Sequence, residues 1–177
     1  MQGDIIFAAV TLVVVAIGLW KYRYDYKKLG RTTKLGAVAI LAAFTMPNIV
    51  VGLFVPWIGF PDRAVEFVGW VLLLIGSGLC LIAMIRFRAP RKVLGMATEG
   101  LVESGLYRYS RNPQYVFYGM FLLGFVLCGN SRMAFLGVAL YWLVVHLTIL
   151  IEEEHLTRAY GNAYQEYKRT TPRYLLY

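Results

Sequence analysis

Five apolar runs, each about as long as a bilayer-spanning helix, set the main constraint on how this chain can fold. Crossing the hydrocarbon core takes about 20 apolar residues in a helix. Hydrophobic residues make up 59% of the 177 residues, above the roughly 45–50% apolar residues of a soluble domain. Within the runs, Glu66 is the one charged residue. The sequence therefore predicts a single all-α integral membrane domain with five transmembrane helices, at about 5–20, 35–58, 64–85, 114–129 and 133–151.

The basic residues predict the orientation of these helices. Of the 18 Lys and Arg residues, six lie at 21–34, six at 86–111 and four after Glu154. Because basic segments stay in the cytoplasm, we expect the N-terminus outside and the C-terminus in the cytoplasm. The membrane would be a bacterial or archaeal inner membrane, or the endoplasmic reticulum of a eukaryote. Topology and attraction to anionic membrane lipids explain the net charge of +8 without a nucleic-acid partner, and the sequence leaves the oligomeric state unknown.

Short connections and the composition of the tail predict how the C-terminal half is arranged. The first run follows no basic residue and lacks a small-residue cleavage site, so it is expected to be a retained helix. Three residues, 130–132, join the last two runs, which predicts an antiparallel helical hairpin with both far ends at the cytoplasmic surface. Cys80 and Cys128 lie within apolar runs without a CxxC pair and are expected to be core thiols, with no metal site. The tail has an amphipathic helical pattern and is expected either to fold back as a lid or to place its aromatic residues in an interfacial belt; its apolar positions are Leu156, Tyr160, Ala163, Tyr164 and Tyr167.

A polar turn precedes the fourth run, in the stretch "SRNPQY". Asn112 followed by Pro113 predicts a helix start, because Asn caps free backbone N–H groups and Pro fits the first helical turn. A helix N-terminus also favours anions, and Arg111 adds a guanidinium that can bind a carboxylate through two hydrogen bonds. The turn therefore predicts both a helix start and an anion-binding position.

Three consecutive acids, residues 152–154, stand where the fifth run ends. A solvated acidic cluster is one interpretation, but carboxylates at membrane depth need partners, and Arg111 is the obvious one. Helical spacing places Trp142, His146 and Glu153 along one stripe, with Thr148 one turn before Glu152. His146 is an ionisable group in an apolar run, so it is either functional or held by a buried hydrogen bond.

Two stretches carry a family resemblance: "LVESGLYRYSRNPQY" at 101–115 and "EEEHLTRAYGNAYQEYKRTTPRYL" at 152–175. They resemble the isoprenylcysteine carboxyl methyltransferase family and related integral-membrane methyltransferases, over about the last 75 residues. The resemblance implies S-adenosylmethionine as cofactor, bound in a cytoplasmic pocket made by a catalytic part at about 95–177. Arg111 and the helix start would take the carboxylate of the cofactor, and Glu152 or Glu153 its ammonium or ribose hydroxyls. The expected cofactor-binding residues are Leu101, Val102, Gly105, Tyr107, Arg111, Asn112, Pro113, Tyr115, Glu152, Glu153 and Tyr164.

The resemblance also implies a lipophilic methyl acceptor that enters from the bilayer: a prenylcysteine-type carboxylate, a lipid amine or a thiol. Arg111, Glu153 and His146 are the expected catalytic residues, with Glu153 or His146 removing a proton where the acceptor carries one. Family members that act on a prenylcysteine carboxylate tend to have Arg where this chain has Thr148, which disfavours that substrate unless Arg173 replaces it. The candidate substrate-binding residues are Phe117, Trp142, Thr148 and Arg173.

Two other functions remain open on the sequence. Sterol-type membrane reductases that use NADPH resemble this family in their C-terminal half, although this chain is much shorter and has the glutamate pair typical of the methyltransferases. A non-catalytic membrane protein with a vestigial pocket is the third interpretation.

Overall fold

The computed structural model describes residues 2–54, 62–86, 101, 103–129 and 134–175, without the side chains of residues 2–5 and 86. Over these ranges the chain is all-helical, as predicted. Its helices are α1 (Gln2–Leu29), α2 (Lys34–Phe54), α3 (Arg63–Arg86), α4 (Pro113–Gly129), α5 (Ala134–Tyr160) and α6 (Asn162–Thr170), with a 3-10 turn at Gly105–Arg108 before α4.

Four of the described helices are long and apolar enough to cross a membrane: Ile6–Leu29 within α1, Lys34–Phe54, Arg63–Ile85 and Ala134–Tyr160. These helices make the chain an integral membrane protein by length and composition. Helix α4 is apolar but has 17 residues, and at 1.5 Å per residue it is about 25 Å long. A five-span topology therefore stays a prediction.

Two helices continue well past the apolar runs. Helix α1 extends beyond Trp20 to Leu29, and α5 extends beyond Ile151 to Tyr160. In both, the residues beyond the apolar run lack Gly and Pro until a glycine with positive φ ends the helix: Gly30 at 64° and Gly161 at 53°. Glycine adopts a positive φ without the steric cost that a side chain would add, so the chain can change direction at these two positions. The extensions carry polar side chains beyond the apolar layer.

Helices α3 and α4 pack with their backbones in close contact. A Cβ added to Gly76 would lie 2.6 Å from the backbone nitrogen of Phe121, and one added to Gly124 would lie 2.5 Å from that of Leu73. Small residues permit such an approach, and in lipid close packing is a main source of helix association. Gly78, in the same run of small residues, has nothing within 4 Å, so only part of that run serves this contact.

Helix α5 lies between two buried clusters. On one side Tyr141, Val145 and Ile149 pack with residues of α2 and α4; on the other, Val144 packs with Tyr22 and others of α1 and α2. Many large apolar side chains on the outer faces of α1, α2 and α3 are exposed, which is typical of a surface that faces lipid. The central position of α5 brings its polar end next to four other elements.

A buried carboxylate fixes the corner between α1 and α2. Asp25 is fully buried, pairs with Lys21, and accepts the backbone N–H of Thr33 at 2.9 Å. The hydroxyl of Thr33 in turn accepts the N–H of Gly36 at 3.1 Å, which caps the start of α2. This corner holds the polar end of α1, with its row of tyrosines, against α5.

Candidate functional site

A buried carboxylate holds two guanidinium groups where α5 leaves the apolar layer. Glu153 Oε1 lies 2.8 Å from Arg111 Nη1, and its two oxygens accept Arg173 Nε at 2.9 Å and Nη2 at 2.8 Å. The side chains of Arg111 and Glu153 are each 8% exposed, and that of Arg173 is 33% exposed. We call these three residues the charge centre. It brings Arg111 together with one of the three acids at 152–154 for which the sequence predicted Arg111 as a partner, and it carries a net charge of about +1.

Residues 172–174, near the end of the described tail, cross the site as a strap. The backbone N–H of Arg111 donates to the carbonyl of Pro172 at 2.9 Å, and the hydroxyl of Tyr174 lies 2.8 Å from His146 Nδ1. Hydrogen bonds to Glu153 raise the pKa of the Arg173 guanidinium. Trp142 packs edge-on against Tyr174, with 5.8 Å between ring centroids. The strap therefore covers the stripe of Trp142, His146 and Glu153 on α5.

The start of α4 differs in one detail from the prediction. The carbonyl of Asn112 accepts the N–H of Val116 at 3.2 Å, and Pro113 is fully buried in the first turn, so the helix begins where predicted. The side-chain amide of Asn112, however, donates to the carbonyl of Arg173 at 3.0 Å. The backbone N–H of Asn112 is satisfied by Ser110 Oγ at 3.1 Å. Asn112 therefore ties the strap to the helix start, a role that its sequence position did not reveal.

Two tyrosines from α6 join the tail to the turn before α4. Gly105 has a φ of 65° and begins the 3-10 turn. The turn contains the buried Tyr107, whose hydroxyl donates to Gln114 Oε1 at 2.8 Å. Tyr167 donates to the carbonyl of Tyr107 at 2.7 Å. Tyr164 is buried beside the charge centre, and burial, reinforced by the nearby Glu153 carboxylate, raises its pKa to about 12.

Leu101 and Val102 are the other two residues that the family resemblance placed at the cofactor. Leu101 is half-buried. Val102 lies outside the described residues.

Glu152 faces a different environment from Glu153. Its Oε1 accepts the hydroxyl of Tyr22 at 2.8 Å and that of Tyr115 at 2.9 Å. Consecutive residues of a helix point about 100° apart, so adjacent glutamates reach different neighbours. Tyr22 belongs to α1, and sequence reasoning missed it; a signal was available, because Tyr22 and Tyr26 lie one helical turn apart on the polar extension of α1.

A cavity of about 330 Å³ opens beside Tyr22 and Tyr115. Helices α1 to α5 all contribute to its wall, and none of the described lining residues is charged. At one side the hydroxyl of Tyr118 donates to Asn48 Oδ1 at 2.6 Å. Five aromatic side chains line the cavity: Tyr22, Phe44, Tyr115, Tyr118 and Tyr141. We call it the aromatic cavity.

The candidate substrate residues lie outside the described wall of this cavity. Phe117 is buried, with its carbonyl at the α3–α4 contact beside Gly76. Thr148 is fully buried, and its hydroxyl donates to the carbonyl of Val144 in the same helix at 2.8 Å. Trp142, His146 and Arg173 belong to the strap region. Helix packing accounts for the positions of Phe117 and Thr148, and their role in substrate selection stays a prediction.

Comparison with known proteins identifies the class to which this fold and site belong. Residues 65–163 match the family described as phospholipid methyltransferase. The match covers more than half of the chain and includes α3, α4, Arg111 and both glutamates. The chain therefore belongs to the phospholipid methyltransferase family, while α1, α2 and the strap lie outside the matched segment.

Two curated relatives support this assignment. The chain is 33% identical over 73 residues to a protein-S-isoprenylcysteine O-methyltransferase of Schizosaccharomyces pombe. This aligned stretch covers 41% of this chain and 31% of the relative. It is 35% identical over 69 residues to phosphatidylethanolamine N-methyltransferase 1 of Vanderwaltozyma polyspora, covering 38% of this chain and 8% of the relative. The matches thus span less than a third of either relative. The predicted resemblance to the isoprenylcysteine methyltransferases is confirmed, and no solved structure matches.

Proposed function

We propose that this protein is an S-adenosylmethionine-dependent methyltransferase that acts on a lipophilic acceptor at the cytoplasmic face of the membrane. The observation that carries the proposal is the position of the buried charge centre, which lies between the start of α4 and the end of α5, next to the aromatic cavity. A charged cofactor end and an apolar acceptor would each find a matching environment there. The family and its two relatives, both named as methyltransferases, support the same reaction.

The residues of the charge centre fit the amino acid end of S-adenosylmethionine. Among the described residues, Arg111 Nε is buried and has no hydrogen-bond partner, which leaves a donor free for a carboxylate. The first N–H groups of α4 would add to it. Glu153 would hold the ammonium group, which requires it to share or exchange its contacts with Arg173. Tyr107, Tyr164 and the backbone near Leu101 and Gly105 would border the adenosine.

The proposed topology has five spans, with the N-terminus outside and the C-terminus in the cytoplasm. Helix α4, about 25 Å long, is shorter than a hydrocarbon core of about 30 Å. Its start would therefore lie below the headgroups, where α6 and the strap form a roof over the pocket. Because spans four and five form a hairpin in this topology, the Arg111 turn and the glutamates reach the same surface.

Positioning supplies most of the catalysis in a methyl transfer. When bound, the cofactor would supply a methyl group on a sulfonium sulfur, which would leave as a neutral thioether as the acceptor attacks the methyl carbon in line. The protein's part is to align the acceptor, exclude water and remove a proton where the acceptor carries one. Both oxygens of Glu153 already accept guanidinium N–H groups, so Glu153 is better placed to hold a cation than to remove a proton. His146 bonds to Tyr174 and stays a candidate base.

Calorimetric titration of the detergent-purified protein with S-adenosylhomocysteine and with NADPH tests the proposal. We expect S-adenosylhomocysteine to bind, and Arg111→Gln to weaken it by about tenfold or more, a factor worth about 1.4 kcal/mol. Arg169→Gln, on an exposed side chain, is the matched control and should bind as the wild type does. Binding of NADPH alone would point to a reductase, and binding of neither would favour a vestigial pocket.

A further inference from the structure

Two cations share the Glu153 carboxylate, and they hold it unequally. Arg111 makes one contact, from Nη1 to Oε1 at 2.8 Å, whereas Arg173 bonds to both oxygens, through Nε at 2.9 Å and Nη2 at 2.8 Å. Departure of the Arg173 guanidinium would free Oε2 of its described donor while Arg111 still neutralises the carboxylate. Glu153 can therefore lose one of its two cations without becoming an unpaired buried charge.

The two guanidiniums also differ in their access to water. The Arg111 side chain is 8% exposed and that of Arg173 is 33% exposed. A cation that leaves an ion pair must regain hydration, which a buried side chain cannot do where it lies. Arg173 already reaches solvent, so rotation about its own side-chain bonds is enough to rehydrate it. Arg173 is therefore the cation of the charge centre that can leave.

The backbone of the strap is held by bonds that do not involve the Arg173 guanidinium. The N–H of Arg111 donates to the carbonyl of Pro172 at 2.9 Å, and the side-chain amide of Asn112 donates to the carbonyl of Arg173 at 3.0 Å. Both bonds join the strap to the start of α4. The Arg173 side chain can therefore move while the strap stays in place.

We propose that Arg173 is an internal placeholder for the ammonium group of the methyl donor. Its guanidinium occupies Glu153 until the donor binds, then swings into solvent, and it returns when the product leaves. This inference rests on the proposed methyltransferase function and adds a regulation of its cofactor site. The exchange conserves charge, because one cation replaces another at Glu153. Arg111 stays in place for the carboxylate of the donor, toward which its Nε, without a partner among the described residues, can donate.

The placeholder makes cofactor affinity depend on how often Arg173 leaves Glu153. The apparent affinity of a ligand falls in proportion to the fraction of the protein that is competent to bind it. If the guanidinium occupies Glu153 for about nine-tenths of the time, its removal raises the affinity about tenfold. The gain is confined to ligands that carry the ammonium group, because a ligand without it does not need to displace Arg173.

Calorimetric titration of the full chain in a nonionic detergent tests the placeholder with two ligands. They are S-adenosylhomocysteine and its des-amino analogue, in which hydrogen replaces the amino group. We expect Arg173→Gln to bind S-adenosylhomocysteine about tenfold more tightly than the wild type does, and the des-amino analogue no more tightly. Arg173→Lys keeps a cation that can pair with Glu153 and should bind S-adenosylhomocysteine within about threefold of the wild type. Arg169→Gln removes a charge from an exposed side chain of α6 and should leave both affinities unchanged.

The results that would overturn the placeholder differ from those that would overturn the methyltransferase function. Weaker binding of S-adenosylhomocysteine by Arg173→Gln would show that Arg173 holds the cofactor directly. Unchanged affinity, or an equal gain for both ligands, would show that Arg173 does not compete with the ammonium. Binding by Arg173→Gln but not by the wild type would support the placeholder. Binding by neither protein would overturn the methyltransferase function, and this inference with it.

Hydrogen exchange of the wild type gives a second readout that needs no variant. The N–H of Arg111 is bonded to Pro172, so it is protected while the strap stays in place. We expect S-adenosylhomocysteine to leave the exchange of peptides that contain Arg111 unchanged or slower, as measured by mass spectrometry. Faster exchange on binding would show that the whole strap opens, and it would overturn a movement of the Arg173 side chain alone.

Discussion

Replacing Glu153 with Gln should destabilise the protein more than any other single charge change in the charge centre. The substitution keeps the size of the side chain but leaves Arg111, which is 8% exposed, without a carboxylate partner. Removing one partner of a buried ion pair typically costs about 3–5 kcal/mol, because the remaining charge stays desolvated. Arg173 is 33% exposed and can recover solvent, so Arg111 should account for most of the cost.

The same geometry predicts the order of three variants. Arg173→Gln leaves the Arg111–Glu153 pair in place but removes hydrogen bonds to a charged group, and it should lower the unfolding free energy by about 1.5–3 kcal/mol. Glu166→Gln breaks an ion pair with Arg169, in which both side chains are more than half exposed. It should lower the unfolding free energy by only about 0–1 kcal/mol. The double variant Glu153→Gln/Arg173→Gln should cost less than the sum of the single variants, since it removes one unpaired charge.

Free energies of unfolding from titration of the micelle-bound protein with a denaturing detergent would measure these differences. With a total stability of about 5–15 kcal/mol for a typical domain, Glu153→Gln should remain folded at low denaturant. If Glu153→Gln and Glu166→Gln shifted the unfolding free energy equally, the buried ion pair would contribute no more to stability than an exposed one. Additive single and double variants would likewise show that the three charges do not act as one network.

Three further predictions concern packing and the tail. Gly124→Ala places a Cβ 2.5 Å from a backbone nitrogen of α3 and should lower the unfolding free energy by about 1–3 kcal/mol, whereas Gly78→Ala, with nothing within 4 Å, should not. Tyr167→Phe removes the hydroxyl that donates to the carbonyl of Tyr107 and should lower the unfolding free energy by about 0.5–1.5 kcal/mol, seen as faster proteolysis of the tail. Burial raises the pKa of Tyr164 to about 12, from about 10 in an unfolded chain. The protonated hydroxyl should therefore contribute fully to stability below pH 10, and this contribution should be lost as the pH rises through 12. The difference in unfolding free energy between wild type and Tyr164→Phe, measured against pH, checks this.

The features that follow from local chemistry were predictable from the sequence. Apolar runs must be helical in lipid because helices satisfy their own backbone hydrogen bonds, and the described residues are helical throughout those runs. Arg111 was expected to pair with the acidic cluster at 152–154 because carboxylates at membrane depth need a cation and a short connection brings both ends of a hairpin to one surface, but the sequence did not say which of the three acids would be the partner. The helix start at Pro113 followed from the Asn-Pro pair alone.

The features that depend on how helices rotate against each other were not predictable. Tyr22 and Glu152 are 130 residues apart in sequence, and only the angle between α1 and α5 brings them into contact. Helical spacing correctly aligned Thr148 with Glu152, but spacing says nothing about which face is turned inward. Thr148 proved to be buried against its own helix backbone. The Asn112 amide bonds to the strap for the same reason, because the position of residues 172–174 is a tertiary property.

The division between Glu152 and Glu153 offers a physical reason why one family includes different acceptors. The relatives are named as an isoprenylcysteine O-methyltransferase and a phosphatidylethanolamine N-methyltransferase, two reactions that differ in the methyl acceptor. In the proposed methyltransferase the acceptor would lie in the aromatic cavity, and α1 and α2, which lie outside residues 65–163, supply six of its twelve described lining residues. A change of one tyrosine at the α1–α5 contact could then alter acceptor preference without disturbing the charge centre. Tyr22 is the position for the most direct test, because its hydroxyl donates to Glu152, and none of its described hydrogen bonds is to the charge centre.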